Sequence, residues 1–148
     1  MRRLSLFTAL LLCLLPGLAQ AAASCTAAAT PIAFATINPF GSPVTSNGTI
    51  TVACSGGSAS ATYTIALSKG SGTFATRTMK SGANALNYNL YTTSAYSTIW
   101  GDGTGGTSTV TGTNTKVTSL FTVYGQLPTP QGVPPAVYTD TITVTVTY

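Results

Sequence analysis

Residues 138–148 read YTDTITVTVTY and contain the most regular pattern in the chain. From Ile142 to Tyr148 the even positions are apolar or aromatic, and threonine occupies the odd positions between them. A period of two residues predicts a β-strand with one buried face. Proteins usually blunt such a regular edge with charge, proline or a bulge, and none of these follows Asp140. The pattern therefore predicts a terminal strand and leaves open which segment pairs with it.

The first 23 residues differ from the rest and are typical of a secretory signal peptide. Arg2 and Arg3 precede the apolar run LFTALLLCLL, and small residues suited to cleavage follow up to Ala23. The run is shorter than the roughly 20 residues that span a bilayer, which argues against a retained anchor. Lipidation at Cys25 is an alternative, although the residues before it lack the usual leucine. We predict a signal peptide at 1–23, export through the Sec pathway to the periplasm, and a single domain at 24–148.

Cleavage of the leader removes Cys13 and leaves Cys25 and Cys54. An even pair of cysteines in an exported protein predicts a disulfide, because the compartment is oxidising. Closing a loop of about 30 residues would stabilise the fold by roughly 3 to 4 kcal/mol. Two free buried thiols are the alternative.

The inventory of reactive side chains excludes most enzyme chemistry. The chain has no histidine, and its two acidic residues are Asp102 and Asp140. The two aspartates are far apart in sequence, so this inventory nearly excludes paired carboxylates, Ser-His-Asp arrangements and Cys-His nucleophiles. Two cysteines without histidine do not make a structural zinc site, and no basic stripe is present for nucleic acid. We expect a non-enzymatic protein without cofactor or metal and, in its mature form, without a membrane span.

The mature chain alternates β-branched runs with turn-forming residues and shows no helical periodicity. This pattern predicts an all-β fold, an immunoglobulin-like antiparallel β-sandwich. Three of the strands have an assignable inward face, consisting of Ile50 and Val52, then Tyr63, Ile65 and Leu67, then Leu86, Tyr88 and Leu90. The eight predicted strands are 32–37, 48–54, 61–67, 76–79, 86–91, 108–112, 119–125 and the C-terminal run.

Two further segments invite a functional interpretation. GDGTGG at 101–106 lacks the lysine and following helix of a phosphate loop and the oxygen donors of a calcium loop, so it predicts a turn. Trp100, Tyr91 and Tyr96 are candidates for an aromatic platform that binds a glycan, with ordinary core packing as the favoured alternative. NGT at Asn47 is interpreted as a turn.

An ordered set of segments resembles the spore coat protein U domain family, which includes subunits of Csu-type archaic chaperone-usher pili. They are CTAAATPIAFATINP, GTITVAC, YTIALSKGSGTFATRTM, LNYNLYT, IWGDGTGG, VYGQLP and VPPAVYTDTITVTVTY. The resemblance runs from Cys25 to Tyr148. It implies an incomplete sandwich that lacks its last strand, which a periplasmic chaperone and then a neighbouring subunit supply by β-strand addition.

Carried to this sequence, the resemblance implies roles for particular residues. Cys25 and Cys54 match the family's disulfide, and its C-terminal assembly strand is matched by Ile142, Val144, Val146 and Tyr148. The terminal strand would then be an edge that accepts another chain. A one-residue slip would turn its threonines into the groove, so the alternation would also fix the register.

The resemblance implies a structural subunit of a surface fibre for attachment and biofilm formation, with a chaperone, an outer-membrane usher and other subunits as partners. A carbohydrate-binding tip adhesin and a free secreted β-sandwich protein are the alternatives. With cleavage at 22–24, at most three residues precede Cys25, and these span only about 10 Å. A donor strand needs roughly 17 to 20 Å, so the sequence also predicts a subunit at a fibre end that accepts a strand without donating one.

We predict that the exported protein begins between Ala22 and Ser24. Its intact mass should show loss of the leader and of two further hydrogens, because Cys25 and Cys54 are oxidised. Two thiols that alkylate freely without reduction would contradict the disulfide, and a mass that retains the leader would contradict the signal peptide.

Overall fold

A computed structural model of the chain describes residues 22–34, 42–58 and 60–148. Eight strands lie in this part of the chain, and we number them in chain order. They are β1 (Ser24–Ala29), β2 (Val44–Ser55), β3 (Thr62–Leu67), β4 (Arg77–Ser81), β5 (Asn84–Tyr91), β6 (Val110–Thr113), β7 (Ser119–Leu127) and β8 (Val144–Thr147). Of the predicted signal peptide only residues 22 and 23 are described, so that assignment stays a prediction.

The strands form two antiparallel sheets. The larger has the order β1-β2-β7-β5-β4 and the smaller has the order β6-β3-β8. The longest ladder joins β2 to β7, where the pairing runs from Val44 opposite Leu127 to Val52 opposite Ser119. This arrangement confirms the predicted all-β antiparallel sandwich.

The core lies between the two sheets and consists of the residues that alternation assigned to the inward faces. All of them are buried: Ile50, Val52, Tyr63, Ile65, Leu67, Leu86, Tyr88 and Leu90. Cys54, Trp100, Val123 and Leu127 complete the same cluster. Burying a large apolar side chain contributes about 1.5 to 3 kcal/mol, so these alternating faces account for the way the sheets pack.

The first strand differs from the prediction. The strand expected at 32–37 is absent from its described part, because residues 30–34 form no ladder and residues 35–41 lie outside the described chain. β1 lies earlier, and its side chains are mostly exposed. Alanine has low strand propensity, so the sequence SCTAAA gives little signal. Pairing with β2 makes this segment a strand.

The predicted disulfide is confirmed between Cys25 and Cys54. The two residues lie directly opposite each other in the β1–β2 ladder, and their Cα atoms are 4.0 Å apart. Since the side chains of β1 bury little surface, the disulfide and the ladder are the main attachments of β1 to the sheet.

The interpretation of NGT as a turn was wrong, because Asn47 and Gly48 lie within β2, opposite Tyr124 and Val123 of β7. Gly48 is required there by a close approach. A Cβ atom at this position would lie 2.7 Å from Cγ1 of Ile32. The glycine therefore provides the space in which the segment after β1 crosses the larger sheet.

Arg77 is fully buried and connects several elements through hydrogen bonds. Its guanidinium donates to the carbonyl of Ser68 at 2.9 and 3.1 Å, to the carbonyl of Trp100 at 2.7 Å and to Oδ1 of Asn89 at 2.6 Å. The amide of Asn89 donates in turn to the carbonyls of Phe74 and Ala75. This network fixes the loop between β3 and β4 against β5.

We predict that Asn89→Ala lowers the free energy of unfolding by about 2 to 4 kcal/mol, because it leaves a buried guanidinium donor and two carbonyls unpaired. Asn87→Ala is the matched control, since Asn87 lies on the same strand with an exposed side chain and should change stability by no more than about 0.5 kcal/mol. Urea unfolding of the oxidised protein measures both. Equal effects of the two substitutions would contradict this account of the network.

Candidate functional site

The two edges of β8 have different surroundings. On one side β8 pairs with β3, from Leu67 opposite Val144 to Thr64 opposite Thr147. The amide of Ser68 donates to the carbonyl of Thr143 at 3.0 Å, so the odd-numbered residues form the hydrogen-bonded pairs with β3. Backbone groups alternate in direction along an antiparallel strand, and the N–H and C=O groups of Val144 and Val146 therefore point away from β3. No strand in the described part of the chain pairs with this side of β8.

The side chains of β8 alternate as the sequence predicts. Ile142, Val144 and Val146 are half-buried and pack against the core, whereas the threonines between them are exposed. Tyr148 lies beyond the end of β8 and is 57% exposed, so the inward face ends at Val146. The even residues of β8 thus point their apolar side chains toward the core and their free backbone groups toward the region beside the strand.

β1 lies on the other side of this region, and some of its Cα atoms are within 8 Å of Cα atoms of β8. The amide of Thr30 donates to the carbonyl of Thr49 at 2.9 Å, which places the even-numbered residues of β1 in the hydrogen-bonded pairs with β2. The backbone groups of Ala27 and Ala29 therefore point away from β2. Paired strands lie about 4.8 Å apart, and β1 and β8 form no ladder with each other.

We call the opening between these elements the β1–β8 groove. It contains a cavity of about 240 Å³. Its walls are formed by Ile32 and Phe34 after β1 and by Ile142 and Val144 on the other side, and its floor includes Leu90 and Val123. The groove is therefore mostly apolar, as a surface that receives alternating apolar side chains would be.

One end of the β1–β8 groove is polar. Asp140 and Tyr88 line it, and the phenol of Tyr88 donates to Oδ2 of Asp140 at 2.7 Å. Burial raises the pKa of Tyr88 well above its ordinary value, and the hydrogen bond to Asp140 adds to this shift. The phenol therefore remains a neutral donor, and the carboxylate supplies the negative charge at this end of the groove.

Two other strand edges are covered by the chain itself. β7 ends at Leu127, and beyond it the side chain of Gln131 takes its place beside β5. Oε1 of Gln131 accepts from the backbone N–H of Asn87 at 2.7 Å, and Nε2 of Gln131 donates to the carbonyl of Asn87 at 2.8 Å. Pro128 has no N–H and could not continue this ladder. On the outer side of β4, Thr139 exchanges two backbone hydrogen bonds with Lys80. These contacts contrast with the uncovered edge of β8.

Trp100 packs in the core, as the favoured alternative expected, and the candidate aromatic platform of Trp100, Tyr91 and Tyr96 is not formed. Trp100 is 1% exposed, and its indole N–H donates to the carbonyl of Ile65 at 3.0 Å. Tyr91 and Tyr96 are half-buried and pack edge to face with ring centroids 5.6 Å apart. The indole belongs to the core because it fills space between the sheets, and the three rings present no common surface.

The prediction of a turn at GDGTGG is confirmed. Oδ1 of Asp102 accepts hydrogen bonds from the amide and the hydroxyl of Thr104 at 2.9 and 2.6 Å. These bonds hold the pKa of Asp102 below its usual value. In the described ranges there is no group of three metal-binding side chains and no helix of the length and apolarity needed to cross a membrane.

Sequence reasoning placed β8 correctly but missed three contributors to the groove. Asp140 was not assigned a role, although it occupies the even position immediately before Ile142 and this spacing could have identified it. Ile32 and Phe34 were interpreted as part of a strand. Their place in the wall depends on the crossing over Gly48, for which the local sequence gives no signal.

The fold and the groove together define an immunoglobulin-like β-sandwich in which the unpaired side of β8 borders an apolar groove. The family model of the Spore Coat Protein U domain matches residues 9–145. The chain therefore belongs to the Spore Coat Protein U domain family, which confirms the resemblance seen in the sequence.

A solved structure shares the fold. It is a chain in the crystal structure of the CsuC-CsuE chaperone-tip adhesion subunit pre-assembly complex from the archaic chaperone-usher Csu pili of Acinetobacter baumannii. The TM-score is 0.60 at 21% identity, and the alignment covers 86% of this chain and 40% of that one. The protein thus spans about two fifths of the length of that chain. No curated protein matches the sequence.

Proposed function

We propose that this protein is a non-enzymatic structural subunit of a chaperone-usher pilus, assembled by β-strand addition at the β1–β8 groove. The observation that carries the proposal is the free edge of β8 beside an apolar cavity. Family membership and the fold shared with a pilus chaperone–subunit complex support it. In this proposal the sandwich is incomplete until another chain supplies a strand.

The geometry explains how an incoming strand would be held. Val144 and Val146 would offer backbone groups to it on one side, and Ala27 and Ala29 would offer theirs on the other. Apolar side chains of the incoming strand would enter the cavity at every second residue. When a strand lies between two others, the two outer strands are separated by twice the spacing of paired strands, about 9.6 Å. Since some Cα atoms of β1 lie 8 Å or less from those of β8, we expect β1 to move outward by at least about 2 Å on insertion.

The proposed partners follow from this mechanism. A periplasmic chaperone would fill the groove first, an outer-membrane usher would receive the complex, and a neighbouring subunit would then replace the chaperone strand. Export through the Sec pathway would deliver the chain to the periplasm and then to the cell surface or fimbrium, where the fibre would serve attachment and biofilm formation.

Two alternatives remain as proposals of lower rank. A carbohydrate-binding tip adhesin is disfavoured because Trp100 is buried, which leaves Tyr91 and Tyr96 as the aromatic candidates for a surface glycan. A free secreted β-sandwich protein would have to stay folded and monomeric with the groove open to solvent.

The position of the subunit in a fibre depends on the cleavage site. β1 begins at Ser24, so cleavage between Ala22 and Ser24 would leave no donor strand ahead of the sheet. Such a subunit would accept a strand without donating one and would lie at a fibre end. Cleavage well upstream of Ala22 would instead restore a donor segment and a place within the shaft.

The proposal is tested by appending a seven-residue strand of alternating valine and threonine after Tyr148 through a flexible linker. We expect the extended protein to be monomeric at all concentrations and to melt at a higher temperature than the mature chain, which should self-associate through its open edge as its concentration rises. Covering the groove removes apolar surface from water at about 25 cal/mol per Å², and this gain raises the melting temperature.

Two controls make the result specific. A strand shifted by one residue directs threonine into the groove and should stabilise less. Val146→Pro removes an N–H on the groove side, so it should reduce the benefit of the correct strand, whereas Thr147→Ser keeps the ladder and should retain it. A mature chain that refolds reversibly as a monomer, with a melting temperature unaffected by either appended strand, would refute the proposal.

A further inference from the structure

Asp140 lies four residues before β8 begins and lines the polar end of the β1–β8 groove together with Ile142 and Val144. Burial alternates with a two-residue period from Asp140 to Val146. Read from this end, the inward positions are Asp140, Ile142, Val144 and Val146. Residues directly opposite each other on one face of paired strands have Cβ atoms about 4.5 to 5.5 Å apart. A strand that pairs with β8 and continues along the preceding segment as far as Asp140 therefore places one inward side chain next to the carboxylate.

We infer that the strand accepted by this groove carries a cationic side chain, lysine or arginine, opposite Asp140, followed at alternate positions by apolar residues opposite Ile142 and Val144. This inference rests on the proposed function and adds the chemistry of the partner strand. The expected strand carries one cationic residue and two or three apolar residues at every second position. The direction in which the strand runs decides whether the cation comes first or last.

The carboxylate of Asp140 is held in place before any partner arrives. Oδ1 accepts from the amides of Ser71 at 3.0 Å and Thr141 at 2.9 Å, and Oδ2 accepts from the phenol of Tyr88. Gly70 lies directly behind it, with φ of 60°, and a Cβ atom there would be 2.8 Å from Cγ of Asp140. A carboxylate has about four acceptor sites, so these three bonds orient the group and leave room for one more donor.

The charge in the groove also favours a cation. Among the described residues that line the cavity, Asp140 is the one with a charged side chain. Arg77 contributes positive charge nearby, but its donors are engaged by the carbonyls of Ser68 and Trp100 and by Asn89. It therefore does not bind Asp140 directly. A cationic side chain would gain a charge-assisted hydrogen bond, whereas an acidic one would meet a like charge in a confined site.

The experiment measures how well strand peptides displace a fluorescent nine-residue reference strand from the mature protein. Competitors share an alternating valine–threonine frame, and each inward valine in turn is replaced by lysine, norleucine or glutamate. We expect one position at which lysine binds at least about tenfold more tightly than glutamate and more tightly than norleucine. In Asp140→Asn this advantage should disappear, and in Asp102→Asn, the control for lost acidic charge, it should persist.

The outcomes separate this inference from the proposed function. If no alternating peptide binds, both are overturned. If apolar peptides bind but lysine and glutamate compete equally at every position, or the advantage survives in Asp140→Asn, the inference alone is wrong. If Asp140→Asn does not fold, the salt dependence of wild-type binding decides instead. A lysine advantage that weakens between 50 and 500 mM salt, roughly tenfold in concentration, supports the ion pair, and an advantage independent of salt overturns it.

Discussion

The structure depends on one asymmetry of hydrogen bonding, because the backbone of β8 is satisfied by β3 on one side and by no described strand on the other. Alternation places the free N–H and C=O groups and the apolar side chains on the same residues, Val144 and Val146. The cavity is lined by Val144 but not by Val146, and it lies where a strand paired with β8 would extend toward Asp140. The chain covers parts of the β5 and β4 edges with Gln131 and Thr139. The outer sides of β1, β6 and β8 pair with no described strand, and among these β8 and the segment before it contribute Asp140, Ile142 and Val144 to the apolar cavity.

The two sides of the groove are held by different means. On the β8 side, Arg77 occupies the carbonyl of Ser68, and the amide of Thr143 accordingly bonds to Oγ of Ser68 at 2.9 Å. Together with the anchored Asp140, this contact fixes where β8 begins. On the other side, β1 buries little and is attached by its ladder and the Cys25–Cys54 disulfide. We therefore expect β8 to act as the rigid template and β1 to adjust when a strand enters.

Much of this organisation was predictable from local patterns, and the exceptions have physical causes. Alternation identified the buried faces and β8 because one-sided burial leaves a period of two in the sequence. β1 was missed because pairing and the disulfide, rather than propensity, make SCTAAA a strand. Asn47 was misassigned because NG is a turn signal, whereas Gly48 serves a close approach by Ile32. The role of Trp100 could not be decided from sequence, since a core indole and a glycan platform use the same residue.

The most direct test of the account is residue-level amide hydrogen exchange along β8 by NMR, with and without a bound strand. In the mature protein alone, the amides of Thr145 and Thr147 should be protected by β3, and those of Val144 and Val146 should exchange rapidly. Binding of an alternating strand peptide should then protect Val144 and Val146 selectively. Equal protection of all four amides in the protein alone would show that the edge is already covered, and it would contradict the account.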